Sequence, residues 1–370
     1  MQPLIATYAE NMLRTRIEAA DLVTEQNASW DAFVLSAPGG HHVQSSIWGR
    51  VKADEGWEVI RVAVADGDEV VAGAQIAMKS ISRFGRLGYI DHGPLVTPGA
   101  DEAALQLIEL MEEAIRRHRI RALLVQLPER REDSAVPLLA SGYSPTPVRV
   151  SVGATVLVDL SPEPEEILAQ MKAKTRRNIR RSLRSGLEVQ VADDEGFDAF
   201  CEMLKATGLR QGFDPDLDAV SEMRRQLGDD FEVLLAVDDS EPVAGILTLR
   251  FGDRVLYKRG AWSGRKSETH PNERLHWEAM LRHRDRGARI YDFEGVERSV
   301  AAAFLAEGAV PPEASQSVWS FKLGFGGEVV LLPDPLIRIP NGLLRRAHDI
   351  VTPRLAHSAK FHQMLEAIRR

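Results

Sequence analysis

The hydrophobic positions of this chain follow two spacings. Runs with the two-residue period of strands alternate with segments that carry an apolar residue every three or four positions, as amphipathic helices do. A first group of elements is predicted at residues 57–64, 70–78, 88–95 and 122–126 (strands) and 102–118 (helix). A second group is predicted at residues 155–160, 187–191, 231–237, 242–251, 255–259 and 289–293 (strands) and 197–209 and 272–286 (helices). This repetition predicts a duplicated α/β (α+β) fold with mixed, mostly antiparallel sheets flanked by helices.

The densest charge in the chain lies within residues 171–186. Its seven cations are Lys172, Lys174, Arg176, Arg177, Arg180, Arg181 and Arg184. No acidic residue interrupts them, although the whole chain has a formal net charge of -8. Such a local concentration, opposite in sign to the whole, favours binding of a polyanion at one place. The alternative is an ordinary solvated helix face, which the lack of acidic partners one turn away disfavours.

We predict that this basic segment forms one helix, from a cap at Ser161-Pro162 to a stop at Gly186. Its buried stripe is predicted to comprise Leu168, Met171, Thr175, Ile179 and Leu183. The basic side chains would then surround the outer face.

Composition limits the class of protein. A length of 370 residues suits two domains, and 44% hydrophobic with 27% charged residues is typical of soluble globular proteins. The single cysteine, Cys201, excludes an internal disulfide framework, and its apolar neighbours favour core packing over a nucleophilic role. Without a signal peptide or an apolar run that could span a bilayer, we expect a cytoplasmic protein.

Seven short motifs, in order between about residues 44 and 330, resemble those of the FemABX (FemX-like) family of aminoacyl-tRNA-dependent peptidyltransferases. The motifs are QSSIWGRVK with GW at 44–57, YIDHGP at 89–94, KTRRNI with GL at 174–187, TGLRQGF at 207–213, YKRGA at 257–261, YDFEGV at 291–296 and FKLGFGG at 321–327. Each motif alone is weakly specific, but seven in the family's order form a specific pattern.

The resemblance implies two tandem GNAT-type acyltransferase domains packed side by side. The first would comprise residues 1–153 with 328–370, and the second residues 154–327, without a helical-arm insertion. Members transfer an aminoacyl group from aminoacyl-tRNA to an amine. The resemblance therefore implies two partners: charged tRNA, and an acceptor that is either a UDP-linked muropeptide or an intermediate of antibiotic (natural-product) biosynthesis. No cofactor is expected, because the ester is already activated and the chain has no phosphate-binding Gly-x-x-x-x-Gly-Lys-Ser/Thr motif.

Amide formation from an ester passes through an oxyanion, which a fixed donor must stabilise. Lys322 is the candidate, because Phe321 and Phe325 lower the local dielectric and adjacent glycines permit close approach. The resemblance indicates the same residue; the alternative is a surface lysine at a strand entrance. No pair of His, Asp or Glu residues has a sequence spacing that identifies a general base. Asp91-His92 is either a base or part of a turn or strand end; transfer of the proton by the substrate or the tRNA terminus itself is the remaining alternative.

The resemblance assigns acceptor binding to Lys52 and Arg210, which suit anionic groups. Tyr257, Arg259, Trp48 and Phe321 complete the predicted acceptor site, although Trp48 also fits a core role. Arg259 and Asp214 depart from the family pattern, which leaves room for a different amine. We assign no metal, because the ten histidines show no metal-ligand spacing and the pairs His41-His42 and His348/His357 lack a nearby Cys or paired acids in the sequence.

Residues 341–370 are predicted to be helical, with six Lys or Arg and an apolar face. We rank docking on its own protein first, tRNA second and a peripheral membrane contact third, and we expect a monomer. Two rival functions are an acyl-CoA-dependent GNAT-type N-acyltransferase and a non-catalytic RNA-binding protein. The first lacks its pyrophosphate-binding turn, because Arg284–Arg289 fails at the last position of that motif. If the protein is instead a non-catalytic RNA-binding protein, Lys322→Ala should leave the transfer of an amino acid to an amine unchanged.

Overall fold

The computed structural model describes residues 14–18, 28–81, 85–150 and 153–355. The chain divides into two units: unit 1 is Met1–Ser151 with Pro333–Arg370, and unit 2 is Val152–Leu332. Unit 2 is therefore inserted into unit 1. Its two ends meet, because the backbone N–H of Leu332 donates to the carbonyl of Gly153 at 3.0 Å.

Unit 1 is built on an eight-stranded sheet of order β1-β2-β3-β4-β6-β15-β7, with β5 paired to β3. The strands are β1 (Arg14–Glu18), β2 (Glu58–Asp66), β3 (Glu69–Ile81), β4 (Gly85–Ile90), β5 (Leu95–Val96), β6 (Ile120–Val125), β7 (Ser144–Pro145) and β15 (Leu336–Arg338). The helices are α1 (Ala28–Ser36), α2 (Ser46–Asp54), α3 (Asp101–Arg117), α4 (Ala135–Ala140) and α12 (Gly342–Leu355). Only the β4–β6 pair is parallel among these strands. The core forms where α3 buries Leu107, Met111 and Ala114 against the sheet.

Unit 2 is built on a seven-stranded sheet of order β14-β8-β13-β12-β11-β10-β9. The strands are β8 (Ala154–Asp159), β9 (Glu188–Val191), β10 (Phe231–Asp238), β11 (Glu241–Phe251), β12 (Arg254–Trp262), β13 (Ile290–Asp292) and β14 (Glu328–Leu331). The helices are α5 (Pro164–Gln170), α6 (Ala173–Ser182), α7 (Asp194–Gln211), α8 (Leu217–Leu227), α9 (Pro271–Asp285), α10 (Arg298–Glu307) and α11 (Val318–Lys322). Only β12–β13 is parallel here. The predicted fold class, mixed sheets flanked by helices, is confirmed.

The boundary between the units differs from the predicted one. β14 pairs antiparallel with β8, with Glu328 opposite Leu157, so it completes the sheet of unit 2. Unit 2 therefore ends after Leu332 and not before Glu328. The chain then returns to unit 1, where β15 pairs with β6 and β7.

The prediction of one long basic helix is wrong. The segment forms two helices, α5 and α6, because Met171 and Lys172 are extended, with ψ of 156° and 146°. Met171 is buried, and the backbone N–H of Lys172 donates to the carbonyl of Gly324 at 2.9 Å. These contacts stabilise the extended backbone between α5 and α6. Leu183 was predicted to belong to the buried stripe, but it is 46% exposed.

The C-terminal prediction is described only in part. Residues 342–355 are helical as α12, and His348 Nε2 lies 3.3 Å from Thr146 Oγ1 of the same unit. Leu343, Leu344 and Ile350 are exposed on this helix. Residues 356–370, which include His357, lie outside the described residues. None of the helices in the described ranges combines the length and apolarity that crossing a membrane requires.

Candidate functional site

Lys322 lies at the end of α11 with its side chain buried inside unit 2, 7% exposed. Its Nζ donates to the carbonyl oxygens of Glu294 and, at 2.9 Å, Gly295, in the turn after β13. It also lies 5.4 Å from the centre of the Tyr257 ring. Lys322 is therefore not a surface lysine, which removes the alternative raised by the sequence. Because an ammonium has three donors, one N–H remains for a ligand.

The surroundings of Lys322 adjust its basicity. Burial lowers the pKa of Lys322 from 10.5 to about 8, while the carboxylates of Glu294 and Asp292 act in the opposite direction. Glu294 is itself held by Lys258, whose Nζ lies 3.1 Å from its carboxylate. Asp292 accepts the backbone N–H of Glu294 at 2.8 Å and so fixes the turn that presents the two carbonyls. The ammonium is thus mostly protonated near neutral pH yet poorly hydrated, which suits stabilisation of a developing oxyanion.

An aromatic layer surrounds His276, for which the sequence analysis indicated no role. His276, on α9, is 1% exposed, and its Nδ1 lies 2.8 Å from the Tyr291 hydroxyl. Four further rings lie with their centres 4.5–5.5 Å from the imidazole, those of Tyr257, Phe293, Phe321 and Phe325. Burial lowers the pKa of His276 to about 3, and the charge of Lys322 adds to the effect, so the imidazole is neutral. The only signal in the sequence was its position within the predicted helix 272–286.

Three predicted acceptor-site residues lie around Lys322. Tyr257 is half-buried, and burial raises its pKa to about 12, so the phenol stays protonated. Phe321 packs against His276 and Phe325. Arg259 is exposed, donates to the Lys258 carbonyl at 2.9 Å, and is close enough to lower the pKa of Lys322.

Arg210 has a different setting, at the end of α7. Its Nη2 donates to Thr207 Oγ1 at 3.0 Å and to the Trp262 carbonyl, and its guanidinium lies 5.8 Å from the centre of the Trp262 ring. The side chain is exposed, so it is both anchored and accessible. Cys201, on the same helix, is half-buried, and burial raises the pKa of its thiol, which fits packing rather than nucleophilic chemistry.

The basic ridge, defined as the seven cations of residues 172–184, follows the outer face of α6. Six of its members are exposed: Lys172, Lys174, Arg177, Arg180, Arg181 and Arg184. Arg176 is half-buried and donates to the carbonyls of Ala169, at 3.1 Å, and Met171, so it closes the end of α5. None of the seven forms an ion pair with a carboxylate of the described ranges. The ridge therefore presents uncompensated positive charge to solvent.

The basic ridge and Lys322 are directly connected. Besides the Lys172–Gly324 hydrogen bond, a Cβ on Gly324 would lie 2.6 Å from Thr175 Oγ1, and one on Gly326 would lie 2.7 Å from the Gln170 carbonyl. These glycines allow the turn after Lys322 to pack on the start of α6. The elements predicted to bind tRNA and to catalyse transfer thus form one packed piece.

In unit 1, Lys52 and Trp48 lie on α2. Lys52 Nζ is 5.7 Å from the centre of the Trp48 ring and 6.0 Å from that of Trp57, and it pairs with Glu55 at 2.5 Å. Trp48 is buried, which agrees with the core role considered for it. The sequence-based assignment of these residues to acceptor binding stays a prediction.

Asp91 and His92 form a pair, with 2.8 Å between Asp91 Oδ1 and His92 Nδ1. The His41 ring stacks on that of His92, and His42 contacts both His41 and Trp48. His92 has a φ of 49°, which is typical of a turn. The three-histidine cluster was not predicted, because His92 lies about fifty positions from the adjacent pair His41 and His42 in the sequence.

Comparison with known proteins gives two family matches. The model described as an acetyltransferase (GNAT) domain matches residues 170–299, and the FemAB family model matches residues 25–128. Among curated proteins, a Lipid II:glycine glycyltransferase of Staphylococcus haemolyticus is 24% identical over 382 aligned positions, covering 81% of this chain and 88% of that protein. One of the same name from Staphylococcus aureus is 27% identical over 198 positions, covering 50% and 47%, so that match spans about half of the relative.

Among solved structures, the crystal structure of FemX is similar in fold, with a TM-score of 0.75 at 21% identity, covering 87% of this chain and 98% of that one. The two helix-flanked sheets thus define a tandem GNAT-type fold. Within that class, the chain is similar to proteins of the FemABX family in sequence and in fold.

Proposed function

We propose that this protein transfers the aminoacyl group of a charged tRNA to an amine of a peptidoglycan precursor. The amine nitrogen attacks the ester carbonyl, a C–N bond forms, and the C–O bond to the terminal ribose breaks. The proton lost by the amine goes to the departing ribose oxygen, so no oxidant, nucleotide or metal is consumed. The curated relatives are named as glycyltransferases that act on Lipid II, which supports this class of acceptor.

The observation that carries the proposal is the buried ammonium of Lys322, with two N–H groups held by carbonyls and a third left over. In the tetrahedral intermediate this third N–H would meet the negative oxygen. The two carbonyls orient the ammonium before the reaction, so little reorganisation is needed when the charge develops.

The basic ridge on α6 would hold the acceptor stem of the tRNA through phosphate contacts. Because its six exposed cations have no carboxylate partners among the described residues, they are available to phosphates. The logarithm of the binding constant should fall with the logarithm of salt concentration, with a slope of roughly 0.7–0.9 per phosphate contacted. Charged tRNA is present in the cytoplasm, where we propose that the reaction takes place.

The acceptor would bind through Tyr257, Arg259 and Phe321 near Lys322, with Arg210 of the same unit as a further contact. Arg259 is an exposed guanidinium beside the reacting position and suits a carboxylate of the acceptor peptide. An acceptor from natural-product assembly would differ mainly in these contacts.

Incubation with a pool of charged tRNAs tests the proposal. Three acceptor arms are used: a UDP-linked muropeptide, Lipid II in detergent, and simple amines; acetyl-CoA replaces the charged tRNA in a parallel arm. Mass spectrometry should detect a gain of one aminoacyl residue on a peptidoglycan precursor, lost in Lys322→Met but kept in Lys205→Met, an exposed lysine of α7. An acetyl gain with acetyl-CoA, or no aminoacyl gain on any precursor, would overturn it.

A further inference from the structure

The turn after β13 has an unusual backbone. Glu294 has a φ of 37°, in the left-handed region that residues with a side chain rarely adopt, and Gly295 follows with a φ of 62°. The carbonyls of these two residues are the ones that accept N–H groups from Lys322. A strained backbone of this kind persists only where its surroundings hold it. The contacts that hold this turn therefore also set the position of the Lys322 ammonium.

Main-chain hydrogen bonds fix the two ends of the turn. The N–H of Phe293 donates to the carbonyl of Val156 at 3.0 Å, and the N–H of Val296 donates to that of Ala154 at 2.9 Å. Both ends are thus attached to β8. Neither bond involves the two residues between them, whose carbonyls face the lysine.

Side chains hold the middle of the turn. The Asp292 carboxylate accepts the N–H of Glu294 at 2.8 Å, and Lys258 Nζ donates to both carboxylate oxygens of Glu294, at 3.2 and 3.1 Å. The parallel pairing of Leu256 with Asp292 explains the second contact, because Lys258 and Glu294 each lie two residues beyond that pair. Their side chains are only 13% and 23% exposed, so the ion pair is shielded from solvent.

The charge of Glu294 also acts on Lys322. Burial lowers the pKa of Lys322 most, the carboxylates of Glu294 and Asp292 raise it, and the guanidinium of Arg259 lowers it. Two neutral rings also lie beside the ammonium, those of Tyr257 and His276. Removal of the Glu294 charge should therefore reduce the protonated fraction of Lys322 at pH values near 8.

We propose that Lys258 and Glu294 form a positioning pair for Lys322: their ion pair holds the two carbonyls that orient the ammonium, and so directs its remaining N–H at the reacting oxygen. This inference rests on the proposed function and adds two residues to it. Both lie in sequence motifs, YKRGA and YDFEGV, in which neither residue had an assigned role. Because they act through Lys322, their substitution should change the chemical step rather than substrate binding.

Steady-state and single-turnover transfer over a range of pH test the pair. Lys258→Met and Glu294→Gln should each lower kcat about tenfold or more with KM for charged tRNA and acceptor unchanged, because a displaced donor meets the oxyanion poorly. Lys258→Arg, which keeps the ion pair, should restore most of the rate. The loss of transfer with rising pH should begin at lower pH in Glu294→Gln but not in Lys258→Met, which keeps the carboxylate.

The matched control is Glu112→Gln in unit 1. Glu112 pairs with Arg338 at 2.8 Å through side chains that are 21% and 19% exposed, so the control removes an ion pair about as shielded as that of Glu294. Thermal unfolding of each variant verifies folding, and the control should keep the wild-type rate and pH profile. A folded Glu294→Gln variant with the wild-type rate and pH profile, or an equal loss in Glu112→Gln, would overturn the proposal.

A readout without transfer separates this inference from the proposed function. NMR of isotope-labelled lysine side chains, with the Lys322 signal assigned by its loss in Lys322→Met, measures the ionisation of Lys322 directly. The signal should titrate near pH 8 in wild type and at lower pH in Glu294→Gln. Identical titrations would overturn the pair whether or not transfer occurs. A lower value in Glu294→Gln together with no transfer by wild type would overturn the proposed function and still support the action of Glu294 on Lys322.

Discussion

Replacement of Lys322 by Met removes the ammonium while keeping an unbranched apolar side chain of similar length. We expect kcat for aminoacyl transfer to fall by about 10²–10³, since loss of one oxyanion donor typically raises the barrier by about 3–4 kcal/mol. Affinity for tRNA should be unchanged, because the exposed cations of α6 are untouched.

The stability of this variant follows from the same geometry. The lowering of the pKa from 10.5 to about 8 means that burial of the charge disfavours the folded state by about 3 kcal/mol. The variant relieves this penalty but leaves the carbonyls of Glu294 and Gly295 without a donor, which costs roughly 1–3 kcal/mol for each. The two effects largely offset, so the free energy of unfolding should stay within about 3 kcal/mol of wild type.

Single-turnover transfer from pre-charged tRNA, quenched at timed intervals, measures the chemical step apart from product release. Thermal unfolding and tRNA binding are measured on the same preparations, with Lys205→Met as the matched exposed-lysine control. A folded Lys322→Met variant that transfers within about threefold of the wild-type rate would refute the assignment of Lys322 to the oxyanion.

The pH dependence of wild type should also reflect Lys322: transfer falls as pH rises through about 8, because the neutral amine no longer stabilises an oxyanion. The unfolded chain keeps this proton up to about pH 10.5, so between these values the free energy of unfolding should rise with pH, and Lys322→Met should lack this rise in chemical denaturation. The double variant Arg177→Glu with Arg181→Glu should weaken tRNA binding at least tenfold and flatten its salt dependence in filter binding, whereas Lys205→Glu should do neither. Equal salt slopes for the double variant and Lys205→Glu would contradict the assignment of the basic ridge to tRNA binding. Gly324→Val should reduce transfer and the melting temperature together, because its side chain would collide with α6; wild-type values for both would show that this close approach is dispensable.

The local pattern of apolar residues was sufficient to predict an element where its buried positions recur with a regular period. The helix predicted at 102–118 is α3, Asp101–Arg117, because its apolar residues return every three or four positions and meet one sheet. The same reasoning failed at the basic segment. Its break at Met171 and Lys172 depends on a hydrogen bond to Gly324, about 150 positions away, which no local pattern reveals.

The candidate site shows the same division. Motif order predicted Lys322, but its burial depends on the turn at Glu294 and Gly295, which the Asp292 carboxylate fixes. His276 had no motif, because its role in the aromatic layer appears only when α9, β13 and α11 are packed together. Lys258 and Glu294 likewise become neighbours through strand register rather than through sequence spacing.

The hydrogen bond between Leu332 and Gly153 has an evolutionary consequence. A segment whose first and last residues touch can be spliced into a surface connection of another domain, or removed from it, without rethreading the host chain. Unit 2, which carries Lys322, is in this sense an exchangeable module. Gene rearrangement could exchange it for a version with a different basic ridge while the host sheet keeps its own strand order.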